Sequence, residues 1–158
     1  MEKSNIDEKI KLLTGNGMWH TQEVESLPSV HLSDGPHGLR KQEEKERQNN
    51  VSLVSTCYPT ASALACSWDV TAAERLGRAV AKEAWNADVA VLLGPGINMK
   101  RSPLCGRNFE YFSEDPFLAG RLGAAYVSAA QEENVAVSLK HFAANNQETN
   151  RQTANSQI

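Results

Sequence analysis

Two short segments built almost entirely of aliphatic residues, 89–93 and 135–139, place the strongest constraint on how this chain folds. Both are rich in valine and lack a regular alternation of polar and apolar positions. That pattern is typical of strands buried on both faces of a sheet. The first run ends at a Gly-Pro-Gly sequence and the second at a Lys-His pair.

Helical segments precede both runs. Residues 70–86 carry one apolar stripe, and Ser67 or Asp69 is placed to cap the start of the helix. Residues 117–132 follow an Asp-Pro pair, which is a common start signal for a helix. Helices that alternate with buried strands predict parallel β-α units and an α/β fold.

The N-terminal third gives weaker signals. Residues 6–13 have apolar positions at helical spacing before a glycine-rich stop, which predicts a short amphipathic helix. Residues 30–33 read as an extended stretch that leads into Asp34 and a Gly-Pro turn. Residues 41–50 have no apolar face and are predicted to be a solvated surface loop.

Polar residues follow each predicted strand where it ends. Asp34 follows the first, Asn98 comes shortly after the second, and Lys140 and His141 follow the third. In parallel α/β folds, ligands bind at the carboxyl ends of the strands, so one shared site is expected here. Only about three strands can be counted, whereas a closed barrel has eight strands and roughly 250 residues. An incomplete barrel is therefore predicted.

Composition excludes several classes of function. A net charge of -3 gives no electrostatic reason to expect nucleic acid or a membrane surface as partner. The polar N-terminus lacks a signal-peptide pattern, so a cytoplasmic location is expected. Cys57, Cys66 and Cys105 are odd in number and widely spaced, which favours reduced thiols that serve as packing residues. The spacing of cysteines and histidines predicts no metal site, and no cofactor is expected.

The sequence SDGPHGLR at residues 33–40 places the carboxylate of Asp34 and the guanidinium of Arg40 on either side of a tight turn. A carboxylate accepts hydrogen bonds from two sugar hydroxyls, and an arginine donates in a fixed fork, so the pair suits sugar recognition. An aspartate that only caps the turn, beside a surface arginine, fits the spacing equally well.

The loop over residues 94–103 lacks the third glycine of the dinucleotide fingerprint and the Gly-Lys-Ser/Thr end of a phosphate loop. The following aromatic-rich loop contains Arg107, and a buried arginine needs a partner. A structural ion pair with Glu110 or Glu114 is the simplest prediction. At the third strand end, Lys140 either pairs with a neighbouring carboxylate or forms a Schiff base in an aldolase-like lyase.

Three motifs, SDGPHGLR, GPGINMKRSPLCGRNFEYFSEDP and KHFAANNQETNR, occur in this order. Together they closely resemble the N-terminal barrel of glycoside hydrolase family 3 β-glucosidases, from about Ile10 to the end of the chain. The resemblance implies that residues 1–158 are the N-terminal portion of a TIM-type (β/α) barrel. It also implies that the rest of the barrel and a C-terminal α/β sandwich domain are absent.

In that family, the residues at matching positions surround the sugar just before the scissile bond. The resemblance assigns this substrate-binding role to Asp34, Arg40, Arg107, Lys140, His141 and Arg151. Asp34 would accept hydrogen bonds from hydroxyls far from the reacting carbon, and Lys140 and His141 would donate to nearer hydroxyls. Contacts of this kind strengthen as the ring flattens toward the transition state.

Details of the motifs indicate the branch of the family. The last motif lacks the Lys-His-Phe-Pro-Gly-His-Gly pattern of the N-acetylhexosaminidases, and Asp34 stands where the β-xylosidases tend to have glutamate. A β-glucoside or oligosaccharide is therefore the expected substrate of a retaining, exo-acting enzyme. The resemblance places the nucleophile and the acid/base beyond Ile158, so this chain alone is expected to be inactive. A separately encoded remainder is a candidate partner, and a non-catalytic sugar-binding module is the alternative.

Overall fold

The computed structural model describes residues 6–42, 51–155 and 157 of the chain. The predicted surface loop over residues 41–50 lies largely outside the described residues.

A parallel sheet of three strands forms the centre of the fold, in the order β1-β2-β3. The strands are β1 (Leu32–Asp34), β2 (Val91–Leu93) and β3 (Ala136–Val137). Leu32 pairs with Val91 and Asp34 with Leu93, and Val91 in turn pairs with Ala136. All three strands therefore end at the same edge of the sheet.

Helices connect the strands, which confirms the predicted β-α units. A short helix α2 (Ala61–Ala65) and the long helix α3 (Val70–Asn86) lie between β1 and β2, and α4 (Pro116–Glu132) lies between β2 and β3. The Asp69 carboxylate caps α3 by accepting from the Thr71 N–H, and α4 has Pro116 at its first position. The predicted bounds of both long helices are confirmed to within one residue.

The core lies where α3 and α4 pack on each other and on the sheet. The largest of its fully buried side chains include Leu92 of the central strand, Val80 of α3, and Leu122 and Tyr126 of α4. The backbones of the two helices approach closely at Gly77, where a Cβ atom would lie 2.4 Å from the Tyr126 carbonyl oxygen. A larger residue at this position would force the helices apart.

Helix α1 (Ile6–Leu12) forms close to its predicted bounds but buries none of its residues. The apolar positions that defined it in the sequence are 65% exposed at Ile6 and 56% exposed at Ile10. Amphipathic spacing was therefore sufficient to predict the helix, although its apolar face has no cover within the described chain.

The strands are shorter than their apolar runs. Residues 89–93 and 135–139 were predicted to be strands, but regular pairing covers only Val91–Leu93 and Ala136–Val137. The flanking residues Val89 and Val135 are nevertheless buried, because they pack against the helices before the chain enters the sheet.

The three cysteines are free thiols, as predicted. Only Cys105 is buried, so the interpretation of Cys57 and Cys66 as packing residues was wrong, because both are exposed. Of the helices that the structure describes, none has the length and apolar character needed to cross a bilayer.

Candidate functional site

The three sequence motifs come together at the carboxyl ends of the three strands, through contacts of the backbone. Asp34 is the last residue of β1. Beyond β2, Gly96 forms parallel bridges with both Tyr111 and Lys140, and the Ile97 N–H donates to the Lys140 carbonyl at 2.7 Å. A Cβ atom at Gly96 would lie 2.4 Å from the Glu110 carbonyl oxygen, so this close approach requires glycine.

Lys140 is the central cation of the site. Its Nζ atom lies 2.7 Å from Oδ1 of Asp34 and 3.4 Å from Oε2 of Glu110. The Lys140 and Glu110 side chains are only 14% and 7% exposed, whereas the Asp34 side chain remains 32% exposed. Asp34 therefore combines a fixed ion pair with an edge that is open to solvent.

Arg107 pairs with the other oxygen of Glu110, through its Nε atom. This confirms the predicted ion pair and selects Glu110 over Glu114. The Arg107 Nε atom also lies 4.0 Å from Glu148, and Glu148 in turn accepts from Arg151 at 3.0 Å. Two of the predicted site arginines are thus linked through one carboxylate.

The neighbouring cations keep the carboxylates of Asp34 and Glu110 ionised. Burial alone would raise the pKa of Asp34, but the hydrogen bond and charge of Lys140, with the charge of Arg40, hold it below its ordinary value. The pKa of Glu110 is also lowered, because the Arg107 hydrogen bond and the Lys140 charge outweigh its burial. Both groups therefore carry negative charge at neutral pH.

His141 lies beside Tyr111 at the same edge of the sheet. The Tyr111 hydroxyl is 2.6 Å from the Nδ1 atom of His141, and the two rings meet edge to face. The side-chain amide of Asn145 donates to the same hydroxyl at 2.6 Å. Burial lowers the pKa of His141, as do the positive charges of Arg107 and Lys140, so the ring is neutral at pH 7.

Arg40 is placed differently from the other predicted residues. Its backbone N–H donates to the Asp34 carbonyl at 2.9 Å and closes the tight turn, whereas the residue itself is exposed. Arg40 therefore acts on Asp34 through its charge, as the lowered pKa of that carboxylate reflects. Arg151 is also exposed; its guanidinium is paired with Glu148, and its charge helps to lower the pKa of His141.

Four members of the site were absent from the set predicted from the sequence, namely Glu110, Tyr111, Asn145 and Glu148. Glu110 was considered only as a structural partner of Arg107, and Tyr111 and Asn145 were not singled out. Glu110 and Tyr111 follow Arg107 by three and four residues in a turn that includes a 3-10 helix over Asn108–Glu110. Their proximity to Lys140 and His141 depends on a pairing between distant parts of the chain, which no local pattern encodes.

Eight residues together form this group, the strand-end cluster. It comprises Asp34, Arg107, Glu110, Tyr111, Lys140, His141, Asn145 and Glu148.

The strand-end cluster presents acceptors and donors side by side, as a polyhydroxylated ligand requires. The Schiff-base alternative loses support, because Lys140 engages two carboxylates, whereas imine formation needs a free amine. Across the described ranges, no three or more histidine, cysteine or acidic side chains are grouped so as to hold a metal ion.

Comparison with protein families matches residues 32–157 to the glycosyl hydrolase family 3 N terminal domain. Thermostable beta-glucosidase B from Acetivibrio thermocellus is 51% identical over 157 residues, which cover 97% of this chain and 21% of that protein. An exo-alpha-(1->6)-L-arabinopyranosidase from Bifidobacterium longum is 47% identical over 158 residues and is likewise covered to 21%. The chain thus spans about a fifth of the length of these relatives.

Solved structures show the same fold. The GH3 beta-glucosidase from Bifidobacterium adolescentis superposes with a TM-score of 0.83 at 47% identity, over 93% of this chain and 21% of the other. Beta-glucosidase 3B from Thermotoga neapolitana, in complex with glucose, gives a TM-score of 0.83 at 38% identity, over 92% of this chain and 23% of that one. The predicted fold class, an incomplete barrel of the TIM type, is therefore confirmed.

Proposed function

The chain belongs to glycosyl hydrolase family 3, and on this premise we propose that it forms the sugar-binding part of a retaining, exo-acting β-glucosidase. The observation that carries the proposal is the convergence of Asp34, Lys140 and His141 at one edge of a parallel sheet. These residues come from two motifs about 100 positions apart, and the fold gives them a common orientation toward the carboxyl ends of the strands.

Each group has a distinct part in binding the sugar. Asp34 gives one oxygen to Lys140 and keeps its open edge to accept hydrogen bonds from two ring hydroxyls. Lys140 and His141 donate to further hydroxyls, while Arg107 and Arg151 brace the cluster through Glu110 and Glu148. Rigid, ion-paired donors of this kind orient the ring at little entropic cost at the moment of reaction.

Asp34 and Glu110 of the strand-end cluster are unsuited to the acid/base role. A retaining glycosidase needs a nucleophilic carboxylate and an acid/base carboxyl about 5 Å apart across the scissile bond. The acid has to be protonated at working pH, whereas the pKa values of Asp34 and Glu110 are both lowered. Glu110 also has both oxygens engaged by cations. Together with the family resemblance, this leads us to propose that the catalytic pair comes from a part of the enzyme other than these 158 residues.

A second substrate is favoured by the named activity of the Bifidobacterium relatives, exo-alpha-(1->6)-L-arabinopyranosidases at 47% and 46% identity. L-Arabinopyranose lacks the hydroxymethyl group of glucose and differs in the orientation of one hydroxyl. These differences lie on the side of the ring far from the reacting carbon, where Asp34 is expected to bind, so a comparison of the two sugars distinguishes the substrates.

The test is hydrolysis of aryl β-D-glucoside and aryl α-L-arabinopyranoside by the purified chain. The same chain is then co-expressed with the part of the Acetivibrio thermocellus relative that follows the matched segment. We expect no turnover by the chain alone and turnover of the glucoside by the pair. Turnover by the chain alone would overturn the assignment of the catalytic pair to another segment.

Glucose binding by the pair provides a separate test of the role of Asp34. Calorimetric titration of the pair with glucose is expected to give weaker binding after Asp34→Asn than after Glu114→Gln, which changes an exposed acid outside the cluster. Equal affinities in the two variants would contradict the role given to Asp34. Sugar binding without any turnover by the co-expressed pair would instead favour the non-catalytic sugar-binding module.

A further inference from the structure

Tyr111 has no exposed surface, and its hydroxyl lies between two polar side chains. Nδ1 of His141 is 2.6 Å away on one side, and the amide nitrogen of Asn145 is 2.6 Å away on the other. A tyrosine hydroxyl has one proton to donate and lone pairs to accept with. The hydroxyl can therefore accept a hydrogen bond from one neighbour and donate its proton to the other.

The amide nitrogen of Asn145 can only donate, so the Tyr111 hydroxyl accepts from it, which leaves the hydroxyl proton available for Nδ1 of His141. The same amide nitrogen also lies 3.5 Å from Nδ1 of His141, so two donors converge on that ring atom. A neutral histidine carries a single N–H. With Nδ1 accepting, the proton of His141 has to be on Nε2.

Asn145 is held in place by Asn98. This residue is 6% exposed, and its side-chain oxygen accepts from the Asn145 N–H at 3.0 Å. Its amide nitrogen donates to the Asn145 carbonyl at 3.2 Å and to the Asn146 side chain at 2.9 Å. A chain of hydrogen bonds thus runs from Asn98 through Asn145 and Tyr111 to His141.

We propose that Tyr111 is a positioning residue that holds His141 in the Nε2–H tautomer, so that Nε2 donates a hydrogen bond to a hydroxyl of the bound sugar. The tautomer follows from the geometry alone, whereas its use in sugar binding rests on the proposed function. With the opposite tautomer, Nε2 would be an acceptor, and a hydroxyl would have to donate to it.

His37 provides an internal reference in the same molecule. Its Nε2 atom accepts a hydrogen bond from the Ala61 N–H at 2.9 Å, so the proton of a neutral His37 has to be on Nδ1. Burial lowers the pKa of this histidine as well, so it is neutral at pH 7. The structure therefore predicts opposite tautomers for His37 and His141.

The experiment is two-bond ¹H–¹⁵N correlation spectroscopy of the chain labelled with ¹⁵N-histidine, at pH 7.5. We expect an Nε2–H pattern for His141 and an Nδ1–H pattern for His37. An Nδ1–H pattern for His141 in the unmodified chain would overturn the proposal, and this result requires no variant to fold.

Two variants separate positioning from packing. Tyr111→Phe is expected to give His141 a mixture of tautomers and to weaken glucose binding by the reconstituted pair about fivefold, the loss of one net hydrogen bond. Tyr126→Phe removes an equally buried hydroxyl that donates to the Pro36 carbonyl, and it should leave the His141 pattern unchanged. An unchanged His141 pattern in Tyr111→Phe would also overturn the proposal.

The two proposals can fail separately. If the unmodified pair does not bind glucose, the proposed function fails, while the tautomer assignment is still decided by the spectrum. If glucose binds but His141 carries its proton on Nδ1, the proposed function stands and the role of Tyr111 is refuted.

Discussion

The paired helices α3 and α4 and the strand-end cluster are built on opposite principles. The helices meet through small and aliphatic side chains such as Ala73, Val80 and Leu122, each completely buried. The strand-end cluster is polar, and most of its contacts join side chains that are tens of residues apart, such as Asp34 and Lys140. One region stabilises the fold, and the other holds charges in place for a ligand.

This difference has an energetic basis. Burying apolar surface stabilises a protein in proportion to area and needs no exact geometry. Burying charges costs desolvation free energy, and ion pairs offset that cost only when each charge keeps its partner. Loss of one aliphatic group should therefore cost stability alone, whereas loss of one charge in the cluster should affect both stability and sugar binding.

The largest expected effect on stability comes from the helix pair. Leu122→Ala removes a fully buried side chain and should lower the free energy of unfolding by about 4 kcal/mol. Leu13→Ala is the matched control, because Leu13 is 89% exposed and should change stability by less than about 0.5 kcal/mol. Urea denaturation measures both values. Similar losses in the two variants would mean that the α3-α4 core does not dominate stability.

A smaller loss of stability is expected in the strand-end cluster, but with a functional consequence. Glu110→Gln removes the ion pair between Glu110 and Arg107 and should lower the free energy of unfolding by about 2 kcal/mol. The loss is limited because Lys140 remains paired with Asp34. Glucose affinity of the reconstituted pair should fall at least about tenfold, because Arg107 loses its ion pair with Glu110 and Lys140 keeps only one of its two carboxylate partners.

The matched control is Glu114→Gln, at the exposed acid that the sequence offered as the other partner of Arg107. It should leave both denaturation and glucose titration unchanged. If Glu110→Gln lost stability but bound glucose normally, the carboxylate would serve only the fold, and the contrast between the two regions would be weaker.

The smallest effects on stability are expected from two glycine substitutions in the paired helices, one of which lowers stability and the other of which raises it. Gly77→Ala should lower the free energy of unfolding by about 1.5 kcal/mol, because its Cβ would collide with the Tyr126 carbonyl of the facing helix. Gly120→Ala, on the open side of α4, should instead raise it by up to about 1 kcal/mol through helix propensity. Thermal unfolding of the two variants checks the signs, and a stabilised Gly77→Ala variant would contradict the close approach.

Local sequence patterns predicted the helices well. Residues 70–86 and 117–132 were expected to be helical, and the structure forms Val70–Asn86 and Pro116–Glu132. The strand runs were recognised but drawn too long, because burial extends beyond the paired residues to Val89 and Val135. The short helix α2 was missed, since five residues carry too little periodicity to be recognised.

The sequence by itself determined the β-α units, the α/β class and the order of polar residues after each strand, because hydrophobic periodicity and turn residues act over a few neighbouring positions. The three motifs also identified the family. Only the tertiary structure decided that Glu110 also contacts Lys140, and that Tyr111 faces His141. Those contacts depend on the register of parallel strands, which joins segments far apart in the chain and leaves no trace in local spacing.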